Sequence, residues 1–395
     1  MKIVINTNSL LSPLTGIGQY TYQLSKKLKE IDTDNGYAYY YGFFSDELLS
    51  KVDHESTPQQ SLEQYKIRTF QNVKNMVKQI PVVGKVGREL RMAFSKTLQR
   101  VNAPKFDLYF EPNFIPLEEI RTKKIVTMVF DLSVLLYPEW HPKSRVEIFE
   151  KYFQKGLKRS DIILTSTNFI KQQIIEHLKI EEFRIGVTPI DCNKEKFKLH
   201  DPEIVSSYLK KNQIPENYLM FVGSIEPRKN ILGILKAYQI LPEHLRKDLY
   251  LVFCGPSGWK NQSIYEFIEK NGLNNKIIFM NYITDEHLSY IYNRAKALVY
   301  PSFYEGFGLP PLEAMSSGCP AIVSDIPTHR EVCGDAVLYA DPHSPEQISS
   351  VIQKVLEDGS LQQSMRKKGL EQSQKFSWER TAKETIKIFR SLNGS

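Results

Sequence analysis

Two doubly wound α/β domains are what this sequence predicts, and three observations predict them. Short apolar runs of strand type alternate with amphipathic helical segments along nearly the whole chain. The alternation stops in a polar segment near 197–216 and then starts again. With 395 residues, the chain also exceeds the length that a single core usually serves.

The first strand is KIVIN (2–6), and SLLSPLTGIGQY supplies a Gly-containing loop before the helical spacing of IGQYTYQLSKKLKEI. Further strands are expected at 106–111, 124–130, 161–166 and 184–190, with amphipathic helices at 143–159 and about 168–178. The second series begins with YLMFVGS (218–224), a basic loop and the helix NILGILKAYQIL. Strands at 249–255, 276–283, 297–302, 320–325 and 336–341 follow, with helices near 263–271, at 285–294 and from about Pro311. The expected division is 1–200 and 201–376, the final helix (377–395) packing back on the first domain.

Composition excludes several classes. Hydrophobic content of 41% with 25% charged residues is that of an ordinary globular protein. No apolar stretch approaches the roughly 20 residues of a membrane span, and the N-terminus lacks a signal-peptide pattern, so a cytoplasmic protein is expected. Cys192, Cys254, Cys319 and Cys333 are too scattered for a disulfide framework or a metal site and read as buried thiols. The net charge of +7 is mild, but 71–105 holds eight Lys/Arg and one acid, Glu89. Its cations alternate with apolar residues, a pattern that can lie on anionic lipid or form a solvated helical insertion. No nucleic-acid recognition module accompanies it, so nucleic acid is not an expected partner.

The richest stretch is YPSFYEGFGLPPLEAMSSGCPAIVSD. Glu305 follows a strand, Gly306 and Gly308 flank Phe307, Leu309 follows, and Glu313 lies in the first turns of the next helix. Ligands of open α/β domains bind at the carboxyl ends of strands. Glycines there let backbone N–H groups approach an anion, and the helix start adds a positive dipole. Carboxylates repel phosphate but suit the hydroxyl pairs of a ribose or hexose; solvated acids on a plain turn are the alternative. In GSIEPRKN, Arg228 and Lys229 follow a strand, suiting a diphosphate or standing as solvated loop charges.

Together, YEGFGLPPLEAM with its Glu305-x7-Glu313 spacing, GSIEPRKN and the C-terminal FSWERTAKE resemble the retaining glycosyltransferases of family four (glycosyl transferases group 1), which have the GT-B fold. The resemblance runs from the first strand to the last helix and is strongest between 218 and 345. It implies a nucleotide-diphosphate sugar donor, with Glu313 on the ribose, Glu305 on the sugar, and Gly306, Phe307, Gly308 and Leu309 lining sugar and phosphates. Arg228 and Lys229 would neutralise the departing diphosphate, and Tyr282 and Ile283 would flank the base. The family's turn often has Arg after its first glycine; here Ser224 follows Gly223, which shifts weight onto Arg228 and Lys229.

In the first domain the resemblance places Gly16 and Gly18 in a loop facing the donor phosphates. VTMVFDLSVLLYPEWHP resembles the family's strand ending in His-Asp, with Asp131 retained and Phe130 in the histidine's place. That histidine tends to bind the sugar's 6-hydroxyl, so Phe130 implies either a 6-deoxy donor such as rhamnose or fucose, or simple packing with mannose as donor. The family's chemistry needs neither metal nor cofactor, and the lone D-x-D, Asp32 and Asp34, reads as solvated turn acids. The expected acceptor is a lipid-linked or cell-surface polysaccharide, as in O-antigen synthesis, reached from the inner face of the membrane. Two alternatives are a nucleotide-sugar epimerase of the same plan, which would want a histidine facing C2, and a sensor that binds without turnover.

Overall fold

The computed structural model describes residues 1–11, 16–49 and 105–393. The first sheet contains β1 (Lys2–Asn6), β2 (Gly36–Tyr40), β3 (Phe44–Ser45), β4 (Phe106–Glu111), β5 (Thr122–Met128), β6 (Ile162–Thr165) and β7 (Ile185–Val187). Their order is β3-β2-β1-β4-β5-β6-β7, parallel except for the β2–β3 pair. Helices α1 (Gly16–Ile31), α2 (Lys143–Arg159) and α3 (Asn168–Leu178) belong to this half of the chain.

The second sheet holds β8 (Tyr218–Val222), β9 (Tyr250–Cys254), β10 (Ile277–Met280), β11 (Ala297–Tyr300), β12 (Ala321–Ser324) and β13 (Leu338–Ala340). All six are parallel, in the order β10-β9-β8-β11-β12-β13. The order reverses between β8 and β11, so the loops leaving these two strands lie side by side. Strands such as FDLYFE and ALVY are buried along nearly their whole length because helices cover both faces of each sheet. Of the helices in this half, α4 (Pro202–Lys211), α5 (Ile231–Ile240), α6 (Asp285–Arg294), α7 (Leu309–Ser316) and α8 (Pro327–Cys333) bear on the site.

The last helix, α9 (Trp378–Ser391), returns to the first sheet. Phe389 is fully buried with its ring 5.6 Å from that of Phe110 in β4. Trp378 Nε1 donates to Cys192 O at 3.1 Å, and Thr381 Oγ1 to Pro189 O at 2.5 Å. Arg390 reaches Asp34 at 2.7 Å and Asp32 at 3.5 Å. This corrects the reading of Asp32 as a solvated turn acid: it is 4% exposed and also accepts from Asn35 and from Tyr37 at 2.5 Å. The D-x-D pair secures a turn under α9.

Three further expectations change. The Tyr-rich segment GYAYYYGFF forms β2 and β3, which an absence of aliphatic residues concealed. The polar segment expected to separate the domains contains α4, started by the Asp201 cap and Pro202, with Val205 and Leu209 buried. Gly16 and Gly18 lie in the first turn of α1, not in the loop before it. The basic stretch 71–105 lies, apart from Lys105, outside the described residues. No helix among the described residues is long and apolar enough to cross a membrane.

The two halves touch extensively through side chains. Ser166 and Thr167 hydroxyls donate to Gly306 O at 3.2 and 3.0 Å. Glu331 of α8 accepts from the N–H groups of Asn168 and Phe169, at the start of α3, at 2.7 and 3.0 Å. A carboxylate at a helix N-terminus is favoured by the helix dipole. Gln19 of α1 donates to Asp285 of α6, and Tyr304 OH to Gln173 of α3 at 2.6 Å.

If α9 is an integral part of the first layer, Phe389→Ala should destabilise the protein by about 3–5 kcal/mol, the usual result of emptying a buried phenyl site. Urea unfolding followed by circular dichroism measures it. A change below about 1 kcal/mol would show that α9 is a detachable tail.

Candidate active site

The site grows out of the strand order. Because β8 and β11 are neighbours, the turn after β8 meets the turn after β11, and Phe303 N donates to Arg228 O at 2.9 Å. The first of these turns is a single 3-10 turn (Pro227–Lys229), closed by Asn230 in the left-handed region, whose side chain caps α5 by accepting from Gly233 N. Pro227 presets the turn, so Arg228 and Lys229 both point across toward Glu305.

Glu305 is the centre of the arrangement. It is 6% exposed, and its two carboxylate oxygens are divided between two cations. Lys229 Nζ donates to Oε1 at 2.6 Å, and Arg228 Nη1 to Oε2 at 2.8 Å. Tyr300 OH, itself 2.5 Å from Lys229 Nζ, donates to Oε1 at 2.9 Å. Beyond Arg228 lies Glu226, 4% exposed, whose Oε1 accepts from Arg228 Nη2 at 2.9 Å. Arg228 Nη1 also reaches Tyr304 O at 3.0 Å.

Burial by itself pushes the Glu305 carboxyl upward, but the charges of Arg228 and then Lys229 outweigh it and hold the group well below the usual carboxylate range. Burial opposes the Arg228 charge as well, yet Glu305, Asp131 and Glu226 raise its pKa further. Burial and the neighbouring Arg228 lower the Lys229 ammonium from its ordinary value, with Glu305 opposing the shift. Behind the carboxylate, Thr328 Oγ1 holds Glu305 O at 2.7 Å. His329, fully buried, is pushed down to about 4 by burial and so adds no third cation at neutral pH.

The glycines are needed for closeness. A Cβ at Gly306 would lie 2.0 Å from Phe130 O and 3.0 Å from Asp131 Cβ, so only glycine lets the two halves meet here. Gly308 has φ +94 and precedes α7, with the His329 ring packed against it. Gly16, at the start of α1, would bring a Cβ to 3.9 Å from Leu309, at the start of α7. The N-terminal ends of two helices from opposite halves therefore lie close together, and helix starts carry the positive end of the dipole.

Glu313 occupies a separate carboxyl pocket. Tyr292 OH donates to it at 3.1 Å, and burial followed by the field of Asp285 pushes it up to about 8. Asp285 starts α6, just after Tyr282 and Ile283 in the loop leaving β10. Burial raises the Asp285 carboxyl, while the bonds from Asn193 and then Gln19 oppose the shift. Tyr282 is 57% exposed and Ile283 is partly buried. Phe307 sends its ring into the core against Phe376, leaving only its backbone for a ligand.

Phe130 and Asp131 follow β5. The Phe130 ring packs edge-on against Tyr20 at 4.9 Å and against Phe114 at 5.9 Å. Asp131 Oδ1 accepts from Ser133 N at 2.7 Å. Gly223, with φ +142, ends β8 beside the Lys229 stem. Every expected site residue thus lies at the carboxyl end of β1, β5, β8, β10 or β11, or on the helix that follows. Glu226, Tyr300, Tyr292, Asp285 and Gln19 were not expected at the site; Glu226 stood inside the GSIEPRKN turn, and the tyrosines carried no signal before the strand order was known. Among the described residues no group of at least three His, Cys, Asp or Glu could hold a metal ion.

The family model for glycosyl transferases group 1 matches residues 206–372. Over 395 residues, 99% of this chain and 100% of the relative, the sequence is 33% identical to O-antigen chain mannosyltransferase B of Escherichia coli. It is 32% identical over 276 residues, 68% of this chain, to the serotype-specific mannosyltransferase WbdA of Escherichia coli, of which 34% is covered. Among solved structures, WaaG, a glycosyltransferase involved in lipopolysaccharide biosynthesis, is similar over 100% of both chains with a TM-score of 0.66 at 17% identity. Anabaena HepE in complex with UDP-glucose is similar over 99% of this chain and 100% of its own, with a TM-score of 0.69 at 14% identity. The shared fold is GT-B, two Rossmann-like domains facing across a cleft.

The paired state of Glu305 has a pH signature. A carboxyl held low in the folded protein stabilises it fully above its unfolded value and loses that contribution as pH falls toward the folded one. Wild type should therefore exceed Glu305→Gln in stability by a constant margin above about pH 5.5, and the margin should shrink below about pH 4. Urea unfolding of both proteins from about pH 7 down to about pH 3 checks it. A margin unchanged by acid would mean that Glu305 is not charged in the fold.

Proposed function

Because this chain belongs to the glycosyl transferases group 1, we propose that it moves mannose from a nucleoside-diphosphate donor to a growing O-antigen-type polysaccharide, with retention of the anomeric configuration. The observation that carries the reading is the Glu305 carboxylate held between Arg228 and Lys229, at 2.8 and 2.6 Å, where β8 and β11 end. Mannose is preferred over a 6-deoxy sugar for two reasons. A relative that matches over the whole length is named as a mannosyltransferase. The Phe130 ring, partly buried, packs against the core beside Tyr20 and Phe114, which supports the packing role over a contact with C6.

In this reading the nucleotide lies on the second domain. Glu313 takes the ribose hydroxyls, and the loop at Tyr282 and Ile283 takes the base. The diphosphate is proposed to enter between the starts of α1 and α7, with backbone N–H groups at Gly16, Gly18, Gly306 and Gly308 turned to it as the site takes up the donor. Arg228 and Lys229 then exchange part of their bonding to Glu305 for the phosphate oxygens. Glu305, relieved of one partner, accepts from hydroxyls of the sugar. The bond from the anomeric carbon to the phosphate oxygen breaks, and the acceptor hydroxyl bonds to that carbon on the same face, its proton passing to the leaving diphosphate. The protein contributes position and charge stabilisation, largest at the moment the phosphate leaves.

Two fixed cations beside the leaving group fill the part that a divalent ion plays elsewhere, so the reaction is proposed to need no metal. A cytoplasmic position against the inner membrane face fits a lipid-linked acceptor, with 71–105 the candidate contact.

Lys229→Ala should lower turnover by about 100- to 1000-fold, the usual loss when one donor to a developing oxyanion is removed. Unfolding protection by the GDP-, UDP- and dTDP-forms of mannose identifies the donor beforehand, and activity should survive EDTA. Competition between the mannose donor and its 6-deoxy counterpart should favour mannose. Full activity of the Lys229 variant, or a preference for the 6-deoxy donor, would overturn the corresponding part of the reading.

A further inference from the structure

The second domain holds a cavity of about 320 Å³ whose walls include none of the residues assigned to the donor. Its size is within the range of small-ligand sites. Three helices start at its wall. Ile231 and Leu232 open α5, Ser263 lies in the first turn of the helix Gln262–Lys270, and Pro345 opens the helix Pro345–Glu357. The Asn230 side chain caps α5 at Gly233 and leaves the N–H groups of Ile231 and Leu232 without a bond among the described residues. Asn261 gives the second helix no side-chain cap, and the Ser263 N–H is unbonded as well. Unbonded N–H groups at the positive ends of helix dipoles suit an anion. Lys236 and Lys260 line the same cavity, and among the described residues neither is paired with an acid. Lys260 Nζ bonds to a carbonyl instead, Glu139 O at 2.5 Å.

A buried side chain adds a second, independent feature. Glu226 is 4% exposed and is the one acid among the residues that line the cavity. Arg228 donates to it twice, from Nη2 at 2.9 Å and Nε at 3.2 Å, and both bonds fall on Oε1. Its Oε2 accepts no hydrogen bond among the described residues. Buried polar groups are paired as a rule, so an open carboxylate oxygen at a cavity wall calls for a donor. A carboxylate repels phosphate but accepts from a hydroxyl. The cavity therefore asks for two groups in one ligand: an anion for the helix starts and lysines, and a hydroxyl for Glu226.

We propose that this cavity binds a phosphorylated sugar at a site separate from that of the nucleotide-sugar donor. The phosphate takes the N–H groups of Ile231, Leu232 and Ser263 with Lys236 and Lys260, and a ring hydroxyl donates to Glu226 Oε2.

Mannose 6-phosphate, inorganic phosphate and methyl α-mannoside are titrated calorimetrically into the full chain, alone and saturated with the nucleoside diphosphate that protects it best. Mannose 6-phosphate should bind with the same affinity in both conditions. Inorganic phosphate should bind about tenfold or more weakly, for want of the hydroxyl, and methyl α-mannoside should not bind. Lys236→Glu reverses an exposed charge outside the donor site. It should weaken mannose 6-phosphate by about tenfold or more, with nucleoside diphosphate affinity and unfolding temperature unchanged. Glu226→Leu should abolish the advantage of mannose 6-phosphate over inorganic phosphate, the phosphate arm serving as its internal control. Absence of saturable mannose 6-phosphate binding to wild type would overturn the proposal. So would its displacement by the nucleoside diphosphate, which would put the ligand in the donor site, or wild-type affinity in Lys236→Glu. Equal affinity of wild type for inorganic phosphate and mannose 6-phosphate would overturn the sugar assignment.

Discussion

A carboxylate taken out of water needs full compensation, and Glu305 receives it from two cations that arrive from a different strand. That constraint organises the rest of the second domain. Arg228 and Lys229 can reach Glu305 only if β8 and β11 are adjacent and end at the same level, which the parallel order of the sheet provides. Once there, each group is expensive to leave alone: removing one member strands the charge of another in a buried site. The second acid, Glu226, and the Tyr300 hydroxyl complete the set and hold the cations in fixed directions. A diphosphate that displaces Glu305 from one cation would therefore find its binding groups already oriented, with little ordering left to do.

The first domain closes this arrangement. Gly306 touches the backbone at Phe130 so closely that no side chain fits, and the Ser166 and Thr167 hydroxyls fasten its carbonyl. Glu331 and Gln19 add bonds on either side, one at a helix start and one at the Asp285 pocket. The residues closest to the Glu305 network are thus also those that join the two domains. Movement of one domain against the other would alter the site directly. The return of α9 to the first sheet, with Arg390 bridging Asp32 and Asp34, ties the chain's end to the domain in which it began.

Much of this was legible in the sequence because buried parallel strands read as uninterrupted apolar runs. FDLYFE matches its strand end for end, and the helices at 143–159, 168–178 and 285–294 match their amphipathic spacing. The Tyr-rich β2 was hidden because tyrosine marks surface and core equally well. Helix α4 was hidden because two buried apolar positions in ten suffice once α6 packs against it. At the site, the residue types and turns were visible, yet their union was not. Arg228 and Glu305 stand 77 positions apart, and only strand order brings them together. Asp32 misled for the converse reason: its partner Arg390 is 358 residues away, so the acid looked solvated.

The central claim is that Glu305 and Lys229 act as one buried unit in the free protein. A double-mutant cycle with Glu305→Gln, Lys229→Met and the combined variant, read by urea unfolding at neutral pH, measures their coupling directly. The account predicts a coupling of about 1–3 kcal/mol, the double variant being less destabilised than the sum of the two single ones. Additivity within about 0.5 kcal/mol would contradict it and separate the carboxylate from the cation on which its burial depends.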